Sequence, residues 1–168
     1  MKALTGALLL VLTLGCGGGE KGSAAVLEVE GFGEIRLEFL RDAAPKTVDH
    51  FITLARKGTF DGTRFHRVVP GFMIQGGTPR AGRNVEDEFG ATPHVRGTVS
   101  LANRGYPNSG AAEFFIVVAD APALDGKYAA FARVTAGLDV ADQIAAVERD
   151  PRDRPLQDVV ITRVRIEP

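Results

Sequence analysis

Short stretches in which hydrophobic and polar residues alternate recur along this chain, and they predict a protein built mainly from β-strands. Residues 26–30 and 34–39 show partial alternation and are joined by Gly31-Phe32-Gly33, which predicts a β-hairpin. Residues 159–166 alternate near the end of the chain. Between these segments, short apolar runs predict further strands at residues 64–69, 72–75, 97–102, 114–119 and 128–134.

Two segments change to the period of an amphipathic helix. In residues 44–57, apolar side chains recur at every third or fourth position after Pro45, and Gly58 stands where a C-terminal cap belongs. Residues 138–147 repeat this spacing. Many short strands with only two helices predict a closed or nearly closed antiparallel sheet, with the helices at its open ends.

Composition and charge narrow the functional classes. The chain has 168 residues, 45% hydrophobic and 24% charged, and a formal net charge of −1, which is typical of a soluble globular protein with one core. A nucleic-acid-binding protein would need a basic face, so we expect no nucleic-acid partner. His50, His66 and His94 lack metal-ligand spacing, so we interpret them as structural or surface residues and expect no metal or cofactor. Ser100 and Ser109 lie in no nucleophile-elbow pattern, which disfavours a Ser-His-Asp triad.

The N-terminus predicts export and a membrane anchor. Lys2 precedes an apolar run at residues 3–14 that is short for a permanent transmembrane helix and fits a signal peptide. Cys16, the only cysteine, ends this run in a sequence that resembles the bacterial lipobox, although Thr13 stands where leucine is usual. The alternative is a plain secretory signal with an incidental cysteine.

This interpretation divides the chain into three parts. We expect a lipoprotein-type signal peptide at residues 1–15, a flexible tether with lipidated Cys16 at residues 16–23, and one folded domain at residues 24–168. The protein would then lie on the periplasmic side of a bacterial cell envelope. The glycine after Cys16 resembles the signal for outer-membrane sorting, so the outer membrane is favoured over the inner.

The most informative motif is FHRVVPGFMIQGG at residues 65–77. A Pro-Gly turn at its centre folds the second half back beside the first, so that Arg67, Phe72, Met73 and Gln75 can meet on one surface. An apolar floor with a fixed cation and an amide at its rim suits a neutral ligand that presents carbonyl oxygens, such as a peptide. Simple alternation puts Arg67 on the same face as Phe65 and Val69, without deciding between core and groove.

Three motifs together resemble the cyclophilin family of peptidyl-prolyl isomerases. FHRVVPGFMIQGG is followed in order by LANRGYPNSGAAEFFIVV and LDGKYAAFARV, and the resemblance runs from about residue 26 to residue 166. It implies a closed eight-stranded antiparallel β-barrel capped by two α-helices. It also implies an enzyme that rotates X-Pro peptide bonds, acts on proline-containing polypeptides as a monomer and assists protein folding.

The resemblance also implies the site residues. The catalytic positions of the family fall on Arg67, Phe72 and Gln75. The positions that bind substrate fall on Met73, Ala102, Asn103, Phe115, Leu124 and Tyr128.

Several positions depart from the family pattern. Ala123 stands where many eukaryotic members have tryptophan, which implies weak cyclosporin binding, and Ala132 replaces a glycine. Glu113 stands where glutamine is common, and residues 77–85 form a shortened loop. The competing hypothesis, favoured by Glu113, Tyr128 and this loop, is a chaperone module that binds proline-containing segments with little turnover. A tethered interaction domain on an isomerase scaffold is a weaker third possibility.

Overall fold

The computed structural model describes residues 22–79, 81–90 and 92–168. The described strands are β1 (Ala24–Val29), β2 (Gly33–Phe39), β3 (Thr63–Val69), β4 (Met73–Gly77), β5 (Thr98–Leu101), β6 (Glu113–Val117), β7 (Ala129–Ala136) and β8 (Val160–Glu167). The helices are α1 (Pro45–Arg56) and α2 (Leu138–Ala145), with a 3-10 turn at Pro122–Leu124. Neither helix combines the length and the apolar character that crossing a membrane requires. The predicted signal peptide and Cys16 lie outside the described residues.

The strands close into one antiparallel barrel in the order β1-β2-β7-β5-β6-β4-β3-β8. Closure occurs between β1 and β8, which pair along the length of β1, so every strand has a partner on both sides. The predicted mainly-β fold with a closed barrel and two helices is therefore confirmed. The predicted elements appear with their ends shifted by at most two residues; α2, for example, ends at Ala145 rather than at residue 147.

Each helix buries its apolar stripe against the barrel. Helix α1 packs on β7 and β8, and α2 packs on β2, β3 and β4. Phe51 of α1 is 2% exposed and lies among the barrel's aromatic rings, 4.8 Å from Phe60 and 5.7 Å from Phe114 between centroids. These rings belong to one continuous apolar core inside the barrel.

A loop carboxylate caps the start of α1. The helix has no capping side chain of its own at Ala44. Instead, Glu88 accepts hydrogen bonds from the backbone N–H groups of Lys46 (3.0 Å) and Thr47 (2.7 Å), and from the Thr47 hydroxyl (2.7 Å). Because the first N–H groups of a helix lack partners within it, a carboxylate there satisfies them and complements the helix dipole. The segment before β5 is thereby fastened to α1.

A register shift in β3 decides which residues face outward. Phe65 pairs with Gly76 and Arg67 pairs with Gln75, so His66 is an extra residue on β3. Phe65 and Val68 consequently point into the core, with 1% and 0% exposure. The expectation that Arg67 shares a face with Phe65 is wrong, because the shift turns Arg67 to the outside.

The glycines of the QGG sequence make this arrangement possible. A Cβ atom on Gly76 would lie 3.0 Å from the Phe65 ring, so the glycine leaves room for that ring inside the barrel. Gly77 has a φ of +91°, which L side chains rarely adopt, and ends β4 against the backbone of Ala112. The two glycines therefore let Phe65 lie inside the barrel while Arg67 and Gln75 face outward.

Candidate active site

A concave pocket of about 200 Å³ lies on the outer face of the barrel. Its lining contains every residue that the family resemblance assigns to the site: Arg67, Phe72, Met73, Gln75, Ala102, Asn103, Phe115, Leu124 and Tyr128. We call it the outer-face pocket. The structure thus brings together residues that are up to 61 positions apart in the sequence.

Strand pairing explains why these residues meet. Gln75 on β4 lies opposite Arg67 on β3 and opposite Phe115 on β6, while Met73 lies opposite Val69 and Val117. Since side chains on paired residues share a face, one side of this three-stranded patch collects Arg67, Gln75 and the apolar residues. The intervening residues of the same strands, among them Phe114 and Ile116, are fully buried in the core.

The floor of the pocket is a small apolar cluster that is separate from the barrel core. Met73 and Phe115 are 3% and 5% exposed, and Phe72, Leu124 and Tyr128 pack around them while remaining partly open. The Phe115 and Tyr128 rings meet edge to face, with centroids 5.2 Å apart. The floor is therefore a fixed apolar surface, and its rim carries the polar groups of Arg67, Gln75 and Asn103.

Asp153 holds the guanidinium of Arg67 and was missed by sequence reasoning. Its Oδ2 lies 3.6 Å from Arg67 Nε, and its Oδ1 lies 3.6 Å from Arg149 Nε. Its backbone carbonyl accepts a 2.8 Å hydrogen bond from Val68 N–H, next to Arg67 on β3. The loop that bears Asp153 therefore touches β3 through both backbone and side chain. Sequence spacing gives no signal for this contact, because Arg67 and Asp153 are far apart along the chain.

This loop has its own internal support. Asp150 accepts hydrogen bonds from the backbone N–H groups of Arg152 (2.8 Å) and Arg154 (3.0 Å). The N–H of Arg154, followed by that of Arg152, lowers the pKa of the Asp150 carboxyl. Asp153 itself has a φ of +64°, a left-handed conformation that aspartate and asparagine tolerate better than most residues. The carboxylate that faces Arg67 is thus presented by a defined turn.

A buried histidine supports the floor from beneath. His94 is 1% exposed and stacks with Phe115, with centroids 6.2 Å apart. Its Nδ1 lies 2.8 Å from Asp125 Oδ1, and its Nε2 lies 2.9 Å from the Ser100 hydroxyl. Nδ1–H therefore donates to the carboxylate, and Nε2 accepts from the hydroxyl. This contact also fixes Leu124, the neighbour of Asp125.

The Ser100–His94–Asp125 group resembles a catalytic triad only in composition. Ser100 is completely buried, so its hydroxyl cannot reach a substrate. The structural interpretation of His94 therefore stands, and these residues stabilise the floor of the outer-face pocket. No group of three or more His, Cys, Asp or Glu side chains in residues 22–79, 81–90 and 92–168 could hold a metal ion.

Glu113 lies at the start of β6, outside the lining of the outer-face pocket. Its Oε1 is 3.1 Å from His66 Nε2, and the two side chains are 23% and 34% exposed. His66 is the extra residue of the β3 register shift, and its side chain is the one that Glu113 contacts. The carboxylate that departs from the family pattern thus has a local partner.

Asp125 gives the floor a pH dependence that can be tested. The backbone N–H of His94, followed by its side-chain hydrogen bond, lowers the pKa of Asp125. A carboxyl whose pKa is lower in the folded state stabilises the fold above its unfolded pKa of about 3.9, and this stabilisation is lost as the pH falls through the folded pKa. We expect Asp125→Asn to be less stable than the parent at pH 7, with a difference that shrinks as the pH falls from about 5 to 2.

Urea unfolding at each pH measures this difference. Leu156→Ala, which alters an exposed apolar side chain and no titrating group, is the control whose difference should stay constant. If the difference in the free energy of unfolding between Asp125→Asn and the parent does not shrink as the pH falls, the lowered pKa of Asp125 is contradicted.

Comparison with known proteins identifies the family. The family model described as cyclophilin type peptidyl-prolyl cis-trans isomerase/CLD matches residues 25–166. The chain is 40% identical over 142 residues to peptidyl-prolyl cis-trans isomerase ppi1 of Schizosaccharomyces pombe, covering 78% of this chain and 91% of that relative. It is 38% identical over 145 residues to peptidyl-prolyl cis-trans isomerase-like 1 of Gibberella zeae, covering 80% of this chain and 89% of the relative.

Solved structures agree with this match. A crystal structure of a cyclophilin type peptidyl-prolyl cis-trans isomerase from Cryptosporidium parvum has a TM-score of 0.81 at 25% identity, covering 88% of this chain and 99% of that one. Another structure of that protein, in the presence of the dipeptide Ala-Pro, has a TM-score of 0.80 at 25% identity, covering 86% and 99%. The chain described here belongs to the cyclophilin family of peptidyl-prolyl cis-trans isomerases.

Proposed function

We propose that the outer-face pocket holds the proline of an X-Pro segment while Arg67 stabilises the twisted amide during cis-trans rotation. The observation that carries this proposal is the position of Arg67, which lies beside an apolar floor and directly opposite Gln75. A crystal structure of the Cryptosporidium parvum relative was determined in the presence of the dipeptide Ala-Pro, which supports a proline-containing ligand for this chain.

The reaction needs no nucleophile, because no covalent bond breaks. Partial double-bond character gives the peptide C–N bond a rotation barrier of roughly 18–20 kcal/mol, and uncatalysed X-Pro exchange takes roughly 10–100 s. An enzyme accelerates the rotation by binding the twisted amide more tightly than either planar form. In the twisted state the prolyl nitrogen regains its lone pair, and the Arg67 guanidinium can donate a hydrogen bond that exists only there.

The other residues would hold the ends of the rotating bond. Phe72, Met73, Phe115 and Leu124 bury the pyrrolidine ring, while Gln75 and the backbone at Ala102 and Asn103 hold the flanking peptide. Because the ring is immobilised, the preceding carbonyl is the part that turns. Tyr128 closes the wall of the pocket against Phe115.

Asp153 would act as a positioning residue for this chemistry. The Asp153 carboxylate lies nearest the Nε atom of Arg67, which is the guanidinium nitrogen bonded to the aliphatic part of the side chain. Fixing the cation before the substrate binds reduces the reorganisation that the transition state requires.

The competing hypothesis, a chaperone module that binds proline-containing segments with little turnover, loses one of its supports. Glu113, one of the residues that favoured it, pairs with His66 and does not line the outer-face pocket. Tyr128 contributes its aromatic ring to the wall of the outer-face pocket. Catalysis is therefore the function that this geometry favours.

We further infer that the enzyme is exported and lipid-anchored on the periplasmic side of a bacterial envelope, where it assists the folding of proline-containing polypeptides as a monomer. The support is the sequence alone: Lys2, the apolar run at residues 3–14, and Cys16 at its end. The glycine after Cys16 favours the outer membrane. The tether at residues 16–23 would let the barrel move close to its anchor.

Replacing Arg67 tests the mechanism. A hydrogen bond from a charged donor is worth about 1.5–3 kcal/mol, so Arg67→Ala should lower kcat/KM by about ten- to a hundredfold. Arg64→Ala is the matched control, because Arg64 is an exposed arginine on the same strand that pairs with Asp158. Turnover of a short X-Pro peptide, followed by NMR exchange spectroscopy, measures both variants. Equal activity in Arg67→Ala and Arg64→Ala would refute the proposed role.

Asp153→Asn tests the positioning role. Asparagine keeps the turn conformation but loses the charge, so kcat should fall by about two- to fivefold with little change in KM, as expected for an exposed ion pair. The same substitution made in Arg67→Ala should have no further effect, because its target is gone. An equal loss in both backgrounds would mean that Asp153 acts through the loop alone.

The anchor has a direct test. Expressed in a bacterial host with its full leader, the protein should partition with membranes, and mass spectrometry of its N-terminal peptide should show a diacylglyceryl group on Cys16. Cys16→Ser should remove the modification and release the protein. A soluble product cleaved elsewhere, with unmodified Cys16, would leave the plain secretory signal as the correct interpretation.

A further inference from the structure

A second cavity adjoins the outer-face pocket. It has a volume of about 340 Å³ and shares Asn103 and Tyr128 with that pocket. We call it the aromatic subsite and define it by these two residues together with Phe89, Tyr106, Pro107 and Lys127. We propose that it binds an aromatic or large aliphatic side chain of the substrate polypeptide, two or three residues from the proline. The proposal rests on the function proposed above.

Exposed aromatic side chains point to a ligand at this place. Phe89 is 43% exposed and Tyr106 is 52% exposed, and both line the same cavity. Large apolar side chains in the described ranges are otherwise mostly buried, the other two exposed ones being Val95 and Leu156. Two aromatic rings left open in one hollow present apolar surface that a ligand side chain can cover.

The walls of the aromatic subsite are fixed before a ligand arrives. Asp87 N–H donates to Asn108 Oδ1 at 2.8 Å, and Asn108 N–H donates to Asp87 Oδ2 at 2.7 Å. Across the cavity, Asn103 Nδ2 donates to the carbonyl of Lys127 at 3.0 Å, and its Oδ1 accepts from Gly105 N–H at 3.1 Å. These bonds connect the segments that bear Phe89, Tyr106 and Tyr128, so binding need not order them.

The same bonds decide the chemistry of the ligand. The amide of Asn103 and the carboxylate of Asp87 are engaged with the protein's own backbone. The surface left for a ligand is therefore mainly ring and proline carbon, with the cation of Lys127 at the margin. Lys127 and Asp87 carry opposite charges and both line the cavity, so a charged side chain gains little net attraction there. An aromatic ring, in contrast, can pack on the rings and face the ammonium group.

The distance from the proline follows from the shared residues. Because Asn103 and Tyr128 contribute to both cavities, the two lie side by side. An extended chain advances about 3.3 Å per residue, and side chains two positions apart point the same way. A peptide whose proline fills the outer-face pocket can therefore place a side chain two or three positions away in the aromatic subsite.

A peptide series tests the proposal. Each peptide carries one X-Pro bond with phenylalanine, leucine, alanine or lysine placed two or three positions before or after the proline. NMR exchange spectroscopy measures kcat/KM, since it needs no coupling protease with a side-chain preference of its own. At one of these positions, kcat/KM of the parent protein should be on the order of tenfold higher for phenylalanine than for alanine, with leucine between the two and lysine close to alanine.

Substitutions in the aromatic subsite should remove this preference. In Tyr106→Ala and in Phe89→Ala, the ratio of kcat/KM between the phenylalanine and alanine peptides should fall towards one. Because the ratio is taken within each variant, a general loss of activity does not affect it. Leu156→Ala removes an exposed apolar side chain that lines neither cavity, and it should keep the ratio of the parent.

The outcomes separate this proposal from the one it rests on. Equal turnover of all peptides by the parent, or a preference that survives both aromatic substitutions, would overturn the aromatic subsite and leave the isomerase mechanism intact. If the parent turns over none of the peptides, the proposed catalysis fails. A phenylalanine peptide that still binds more tightly than its alanine counterpart by calorimetry would then support the aromatic subsite as a binding feature.

Discussion

The shift of register at His66 is the constraint on which the site depends. A strand in a closed barrel must send alternate side chains into an apolar core, where an unpaired guanidinium would be strongly unfavourable. One extra residue lets Phe65 and Val68 both point inward and turns Arg67 outward, opposite Gln75. The outward face of β4 and β6 then supplies Met73 and Phe115 beside the cation. The pocket is a consequence of this irregular pairing.

Loop carboxylates hold the segments around this patch. Glu88 caps α1, Asp125 accepts from the backbone and ring of His94, and Asp153 reaches Arg67 from a turn that Asp150 closes. Glu88, Asp125 and Asp150 each accept from backbone N–H groups that regular structure leaves without partners. A small barrel can thereby keep long connections in defined positions without adding to its core.

The strand pattern of the sequence predicted a closed or nearly closed antiparallel sheet with two helices, and the family resemblance predicted the closed barrel of eight strands. Alternation identified the hairpin of β1 and β2, and helical spacing identified α1 and α2, because these signals are local. The nine residues that the three motifs assign to the site all line one pocket, and their roles in catalysis and substrate binding stay predictions. Periodicity alone failed at Arg67, because an inserted residue reverses every face that follows it. Asp153 and the contacts of His94 were not predictable, as they join residues that are distant in the chain.

The two faces of β4 and β6 have different environments, and this difference has an evolutionary consequence. Ile74, Phe114 and Ile116 are buried in the barrel core, and their neighbours Met73, Gln75 and Phe115 line the pocket on the outer face. Selection can therefore alter the recognition surface residue by residue while the stabilising interior stays constant. Relatives that share this scaffold are free to diverge in the polypeptides they accept, and the rim residues are where that divergence should accumulate.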